Sequence, residues 1–213
     1  MLYSVSELKN NSITLEKWQS VVFADFDAVI NNKERPFPCL FGVNGYRKNM
    51  LRFSFFEEIS AKNIRNDLIT YCENYKCFGK QTSLVIFEKP SVVKSISYYR
   101  DKFWQILKDL VSEDIHDWPQ QIPENLDHPA WEFCFHKEPI FVICNTPAHV
   151  NRLSRRSPGF MLTFQPRWVF DDLLDTEQKA TRAFATVTER LQHYDITDKS
   201  PLLGKYGNLK NRE

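Results

Sequence analysis

The chain has 213 residues and a formal net charge of +1, a size for one domain with no global field to favour nucleic acid or a membrane surface. It has only six glycines, and neither G-x-G-x-x-G nor G-x-x-x-x-G-K-[ST] occurs, which argues against a glycine-rich nucleotide cradle. Seventeen Phe, eight Tyr and five Trp point to a strongly aromatic core.

Met1 to Asn11 is polar and lacks a signal-peptide pattern. No stretch approaches the ~20 apolar residues of a spanning helix, so a cytoplasmic protein is expected. Residues 1–13 read as a loosely held start. Leu15 to Asn31 predicts a helix, with Thr14 as N-cap and Leu15, Trp18, Val22, Phe26 and Val29 on one face. Arg35-Pro-Phe-Pro-Cys-Leu-Phe-Gly42 follows. Its two prolines favour extended backbone before them, so a rigid loop presenting Cys39 is expected, with Gly42 permitting a tight turn or a close backbone approach. Met50 to Phe56 predicts a strand, and Ser60 to Tyr75 a helix capped by Ser60. Thr82 to Phe87 predicts a second strand. A long helix is expected from Pro90-Ser91 to about Ile115, its apolar face carrying Val92, Ile96, Tyr99, Phe103, Ile106 and Leu110.

His116 to Asp127 is an irregular connection. The stretch from Asp127 to Phe170 is the most informative. Three apolar runs, Trp131–Phe135, Ile140–Cys144 and Phe160–Phe164, suit strands buried on at least one face. A hairpin-length gap, residues 136–139, separates the first two. The longer gap, residues 145–158, carries Asn151, Arg152, Ser154, Arg155, Arg156 and Ser157. Thr176 to Tyr194 predicts a final helix. The order α-β-α-β-α-β-β-β-α gives α+β: a single domain over residues 1–213, with a mainly antiparallel sheet flanked by helices.

Apolar strands beside fixed cationic donors suit a ligand with an apolar body and anionic groups. Arginine clusters are more often solvated or salt-bridged, and that reading stands beside the first. The cysteines are Cys39, Cys72, Cys77, Cys134 and Cys144. An odd count with no secretory signal fits reduced thiols. Cys72 and Cys77 lack zinc-ligand spacing, and Cys134 and Cys144 lie within apolar runs as inert buried thiols.

FPCLFG at 37–42, HPAWEFCF at 128–135, EPIFVICNTPAH at 138–149, RLSRRS at 152–157 and TFQPRWVFD at 163–171 together resemble the YqcI/YcgG family. SPLLGKYGN at 200–208 is similar to that family's closing segment. The resemblance runs from about Trp18 to Glu213. Family members continue into a tryptophan-containing tail, so a shortened C-terminus is expected here.

The resemblance implies a haem-dependent N-hydroxylase that takes a guanidine group of an arginine-like small molecule, dioxygen and electrons from an external donor. A haem b cofactor wants an apolar slot, an axial ligand and cations for its propionates. Arg152, Arg155 and Arg156 are the propionate candidates. His149 and His128, both in matched motifs at strand ends, lead for the iron, and Cys39 is their rival. His116, His136 and His193 rank below them. For a cationic guanidinium, Glu132, Glu138 and Asp171 are the matched carboxylates, and Glu138 is preferred. A homodimer is left open. Competing readings are a haem sensor without turnover, a haem-free module binding an anionic small ligand, and, more distantly, a Cys39 hydrolase.

Overall fold

The computed structural model describes residues 1–10, 12–170 and 176–198. Its sheet is centred on β3 (Leu84–Glu88), a β-branched and aromatic run whose five residues are all buried. Alternation along β3 divides the core. Leu84 and Ile86 face one layer; Val85 and Phe87 face the other.

In chain order the elements are β1 (Tyr3–Ser4), α1 (Val5–Lys9), α2 (Lys17–Ile30), α3 (Leu40–Arg47), β2 (Arg52–Phe56), α4 (Ala61–Phe78), β3 and α5 (Ile96–Ser112). Then come β4 (Cys134–Phe135), β5 (Glu138–Asn145), a 3-10 turn (Leu153–Arg155), β6 (Met161–Pro166), a second 3-10 turn (Arg167–Phe170) and α6 (Glu177–Tyr194). The strand order is β1-β2-β3-β6-β5-β4. Among the strands of the described residues β2 and β3 pair in parallel, with α4 as their crossover, and the other strand pairs are antiparallel. The α+β architecture with a mostly antiparallel sheet is therefore what the structure shows. Ile64, Leu68 and Tyr71 of α4, with Ile106 and Leu110 of α5, cover one face. Val22, Phe23, Val43 and Tyr46 of α2 and α3 cover the other.

Several elements differ from the expectations. Residues 1–10 are built into the fold. Tyr3 pairs with Phe53, and Ser4 caps α1 by accepting the Glu7 N–H, while the Glu7 carboxylate accepts the Ser4 N–H. The N-cap of α2 is Glu16 rather than Thr14. The loop expected after the prolines becomes α3 at once, with Cys39 as its N-cap. Gly42 is an ordinary helical residue. The glycine that matters is Gly45, where a Cβ would stand 2.1 Å from the Gln81 carbonyl oxygen. The long helix starts late, with Ser95 as N-cap, so Val92 is 77% exposed and Ile96 47% exposed rather than packed. Of the expected strand 131–135 only Cys134 and Phe135 pair. The hairpin turn is shorter than expected. It consists of His136 and Lys137, both at positive φ (54° and 64°), as a type I′ turn demands.

No helix among the described residues is long and apolar enough to cross a membrane.

Candidate functional site

β5 places the site. Its apolar run ends at Asn145, and the chain then leaves the sheet in the loop 146–158, which is pinched at its base. The Thr146 N–H donates to the Arg155 carbonyl at 2.9 Å and the Ser157 N–H to the Thr146 carbonyl at 3.3 Å. Asn145, buried, donates its side-chain amide to the Ser154 carbonyl at 3.2 Å. Loop backbone this close to a core must have its polar groups met, and these bonds meet them.

Within the loop, His149 packs back on its base. Its Nδ1 lies 2.9 Å from the Thr146 hydroxyl. Burial first, then the charges of Arg155 and Arg152, hold the imidazole below its ordinary pKa, so it is neutral at pH 7. The 3-10 turn that follows carries Arg155. Its backbone is fixed, with the Arg155 N–H donating to the Arg152 carbonyl at 2.9 Å. Burial pulls the guanidinium below its usual value, against the nearby Cys144, Asp195 and Cys39. Among the described residues the Arg155 side chain makes no hydrogen bond and no ion pair. A guanidinium carries five N–H donors in a fixed fork, and those of Arg155 are open to an incoming acceptor.

Cys39, the N-cap of α3, also acts on Arg155. Its Sγ accepts the Gly42 N–H at 3.3 Å. Burial pushes the thiol up, against the Gly42 and Phe41 N–H groups and the charge of Arg155. The thiol is therefore protonated at neutral pH. Cys144 responds in the same way: burial pushes it up to about 12, with Arg155 opposing. Phe170 supplies an aromatic wall nearby, edge-on to Phe41 at 5.8 Å and to Phe141 of β5 at 6.0 Å.

The C-terminal end of α6 fastens this assembly. Asp195 accepts the Ser154 N–H at 2.7 Å and the Ser154 hydroxyl at 2.8 Å. Arg190 donates to the Phe37 carbonyl at 3.3 Å, and Phe37 meets Tyr194 edge-on at 5.6 Å. Sequence reasoning missed Asp195, although a signal existed. A carboxylate at a helix C-terminus faces the negative end of the macrodipole, so it must be held by something else.

The other candidates lie apart. Arg156 is exposed, and its charge acts on Asp25 of α2. His128 is exposed in a tight turn, where its Nδ1 accepts the Ala130 N–H at 3.1 Å. Glu138 opens β5, seven residues before Asn145, which puts it ~23 Å from the loop at about 3.3 Å per residue. Its carboxylate lies instead beside Tyr75 and Cys72 of α4, whose pKa values burial, and then Glu138, push up. Glu132 pairs with Arg167 at 3.1 Å. Asp171 and the segment 200–208 lie outside the described residues.

Two open surface hollows, of about 440 and 380 Å³, contain none of these side chains. Glu16, Trp18 and Lys89 line the first, Trp104 and Leu126 the second. Neither offers converging polar donors around an apolar pocket. Among the described residues no group of three or more His, Cys, Asp or Glu is placed to hold a bare metal ion. A porphyrin-held iron asks less of the protein: one axial donor, cations and an aromatic wall. Neutral His149 and Arg155 supply the donor and the cation of that set, and Phe41, Phe170 and Phe141 form an edge-on aromatic cluster.

The profile of the YqcI/YcgG family matches residues 26–213. The "Uncharacterized protein YqcI" of Bacillus subtilis (strain 168) is 41% identical over 220 residues, covering 100% of this chain and 87% of that protein. "Uncharacterized protein YcgG" from the same organism is 36% identical with the same coverage. The "Putative N(omega)-hydroxy-L-arginine synthase DcsA" of Streptomyces lavendulae is 28% identical over 203 residues, covering 91% of this chain and 76% of that protein. No solved structure matches.

Proposed function

The chain belongs to the YqcI/YcgG family, and on that basis we propose that it is a haem-dependent N-hydroxylase of a guanidine nitrogen in an arginine-like small molecule. The observation that carries the reading is Arg155: a partly buried guanidinium with open donors, beside a neutral imidazole. The name of the Streptomyces relative supports the arginine-type substrate.

Haem b, when bound, supplies the dioxygen chemistry, in which one oxygen atom enters the N–OH product and the other leaves as water with two electrons and two protons. An external donor provides the electrons. Arg155 would receive a propionate through its forked N–H groups, and Arg152, on the same loop, adds positive charge. His149 would be the residue that holds the iron. Its neutral state leaves a nitrogen lone pair for iron, and the Thr146 hydroxyl at Nδ1 orients the ring, as a partner on the second nitrogen does for ligating histidines. Cys39 stands second, because ligation as a thiolate first requires loss of a proton that burial holds on.

The test is haem reconstitution of purified protein and of His149→Ala, His128→Ala and Cys39→Ala. Loss of the native Soret spectrum in His149→Ala alone supports the assignment. An unchanged spectrum in that variant removes it. A protein that binds an anionic small ligand and no haem would turn Arg155 to a haem-free binding role.

A further inference from the structure

We propose that Asp195 is a positioning residue for the Arg155 site, an inference that rests on the function proposed above. The turn carrying Arg155 has two anchors. The inner one is Thr146, whose N–H donates to the Arg155 carbonyl at 2.9 Å. The outer one is Asp195, which takes both donors of Ser154, the N–H at 2.7 Å and the hydroxyl at 2.8 Å. The next residue, Ile196, donates its N–H to the Asn151 carbonyl at 2.9 Å. The end of α6 therefore grips residues 151–154 at two points far away in sequence.

The geometry does a second thing. Asp195 is the acid whose charge acts on Arg155, yet both its oxygens are occupied by Ser154. It fixes the turn without capping the arginine. A carboxylate free to swing would close Arg155 into an ordinary ion pair and remove its open donors. Asp195 itself gains nothing from its own helix, because it sits at the negative end of α6. Its placement is explained by what it holds in the loop. Hydrogen bonds to a charged acceptor are about twice as strong as neutral ones, and two of them on one residue define an orientation as well as a distance.

The first test needs no haem. In amide hydrogen exchange on the haem-free full chain, Asp195→Ala should speed exchange at Ser154 and at Thr146 about tenfold or more, with β3 amides unchanged. Asp195→Asn, which keeps one acceptor oxygen, should restore much of the protection. Unchanged exchange at Thr146 in Asp195→Ala overturns the proposal. The second test is haem dissociation. Asp195→Ala should accelerate it, and the double variant with Arg155→Ala should lose haem no faster than Arg155→Ala alone, because Asp195 acts through that arginine. Fully multiplicative effects would show an independent role and overturn the positioning. If the wild type binds no haem, the function reading fails, while the exchange experiment still decides whether Asp195 holds the turn.

Discussion

Arg155→Ala is the perturbation with the largest calculable effect on the site. The Arg155 side chain has no hydrogen-bond partner among the described residues, so the alanine variant costs the free protein no bond. Its loss should appear only when the ligand is present. A hydrogen bond to a charged group is worth roughly 1.5–3 kcal/mol. At about 1.4 kcal/mol per tenfold, haem should leave roughly 10- to 140-fold faster. Arg155→Lys should fall between, since it keeps the charge and loses the planar fork. Arg156→Ala is the control. Arg156 is exposed and acts on Asp25, so its haem loss should stay within about twofold of wild type, as expected of a surface change. The assay is transfer of haem to excess apomyoglobin, followed at the Soret band. Wild-type rates in Arg155→Ala, or equal acceleration in Arg156→Ala, would refute the assignment.

Gly45→Ala should lower the melting temperature sharply, because its Cβ would meet the Gln81 carbonyl at 2.1 Å, while Gly42→Ala, 3.6 Å from Cys39 Sγ, should be near neutral; equal melting temperatures would contradict this packing. Leu162→Ala, the second residue of β6 and fully buried, should cost about 2–5 kcal/mol in denaturant unfolding. Asp27 is pushed up by burial, but bonds from Lys9, Tyr46 and Asn31 outweigh that and leave it below its ordinary value. A depressed carboxylate adds stability that is present above its unfolded pKa and lost as pH falls through the folded one. Lys9→Ala should therefore narrow the stability difference between pH 7 and pH 3, and an unchanged difference would remove the network's role.

What was legible in the sequence was the part set by local pattern. β3 and α4 follow from β-branched content, helical spacing and the Ser60 cap. α3 was hidden because Pro36, Pro38, Gly42 and Gly45 all signal turn, yet Gly45 is there to let a helix lie against the Gln81 backbone. Val92 was misplaced because helical spacing extends past the true N-cap, Ser95. At the site, the cationic loop and His149 were visible as residues on one connection. Glu138 lay in the same matched stretch, but the length of β5 carries it away from the loop. The Asp195–Ser154 pair was invisible because it depends on where α6 ends in space.

The most direct measurement is the absorption spectrum of protein expressed with a haem precursor, in ferric, ferrous and ferrous–CO forms. The account predicts a Soret band at near-stoichiometric haem, whose position changes in His149→Ala and not in His128→Ala. A folded protein with no Soret band, or a spectrum that ignores His149, would contradict it.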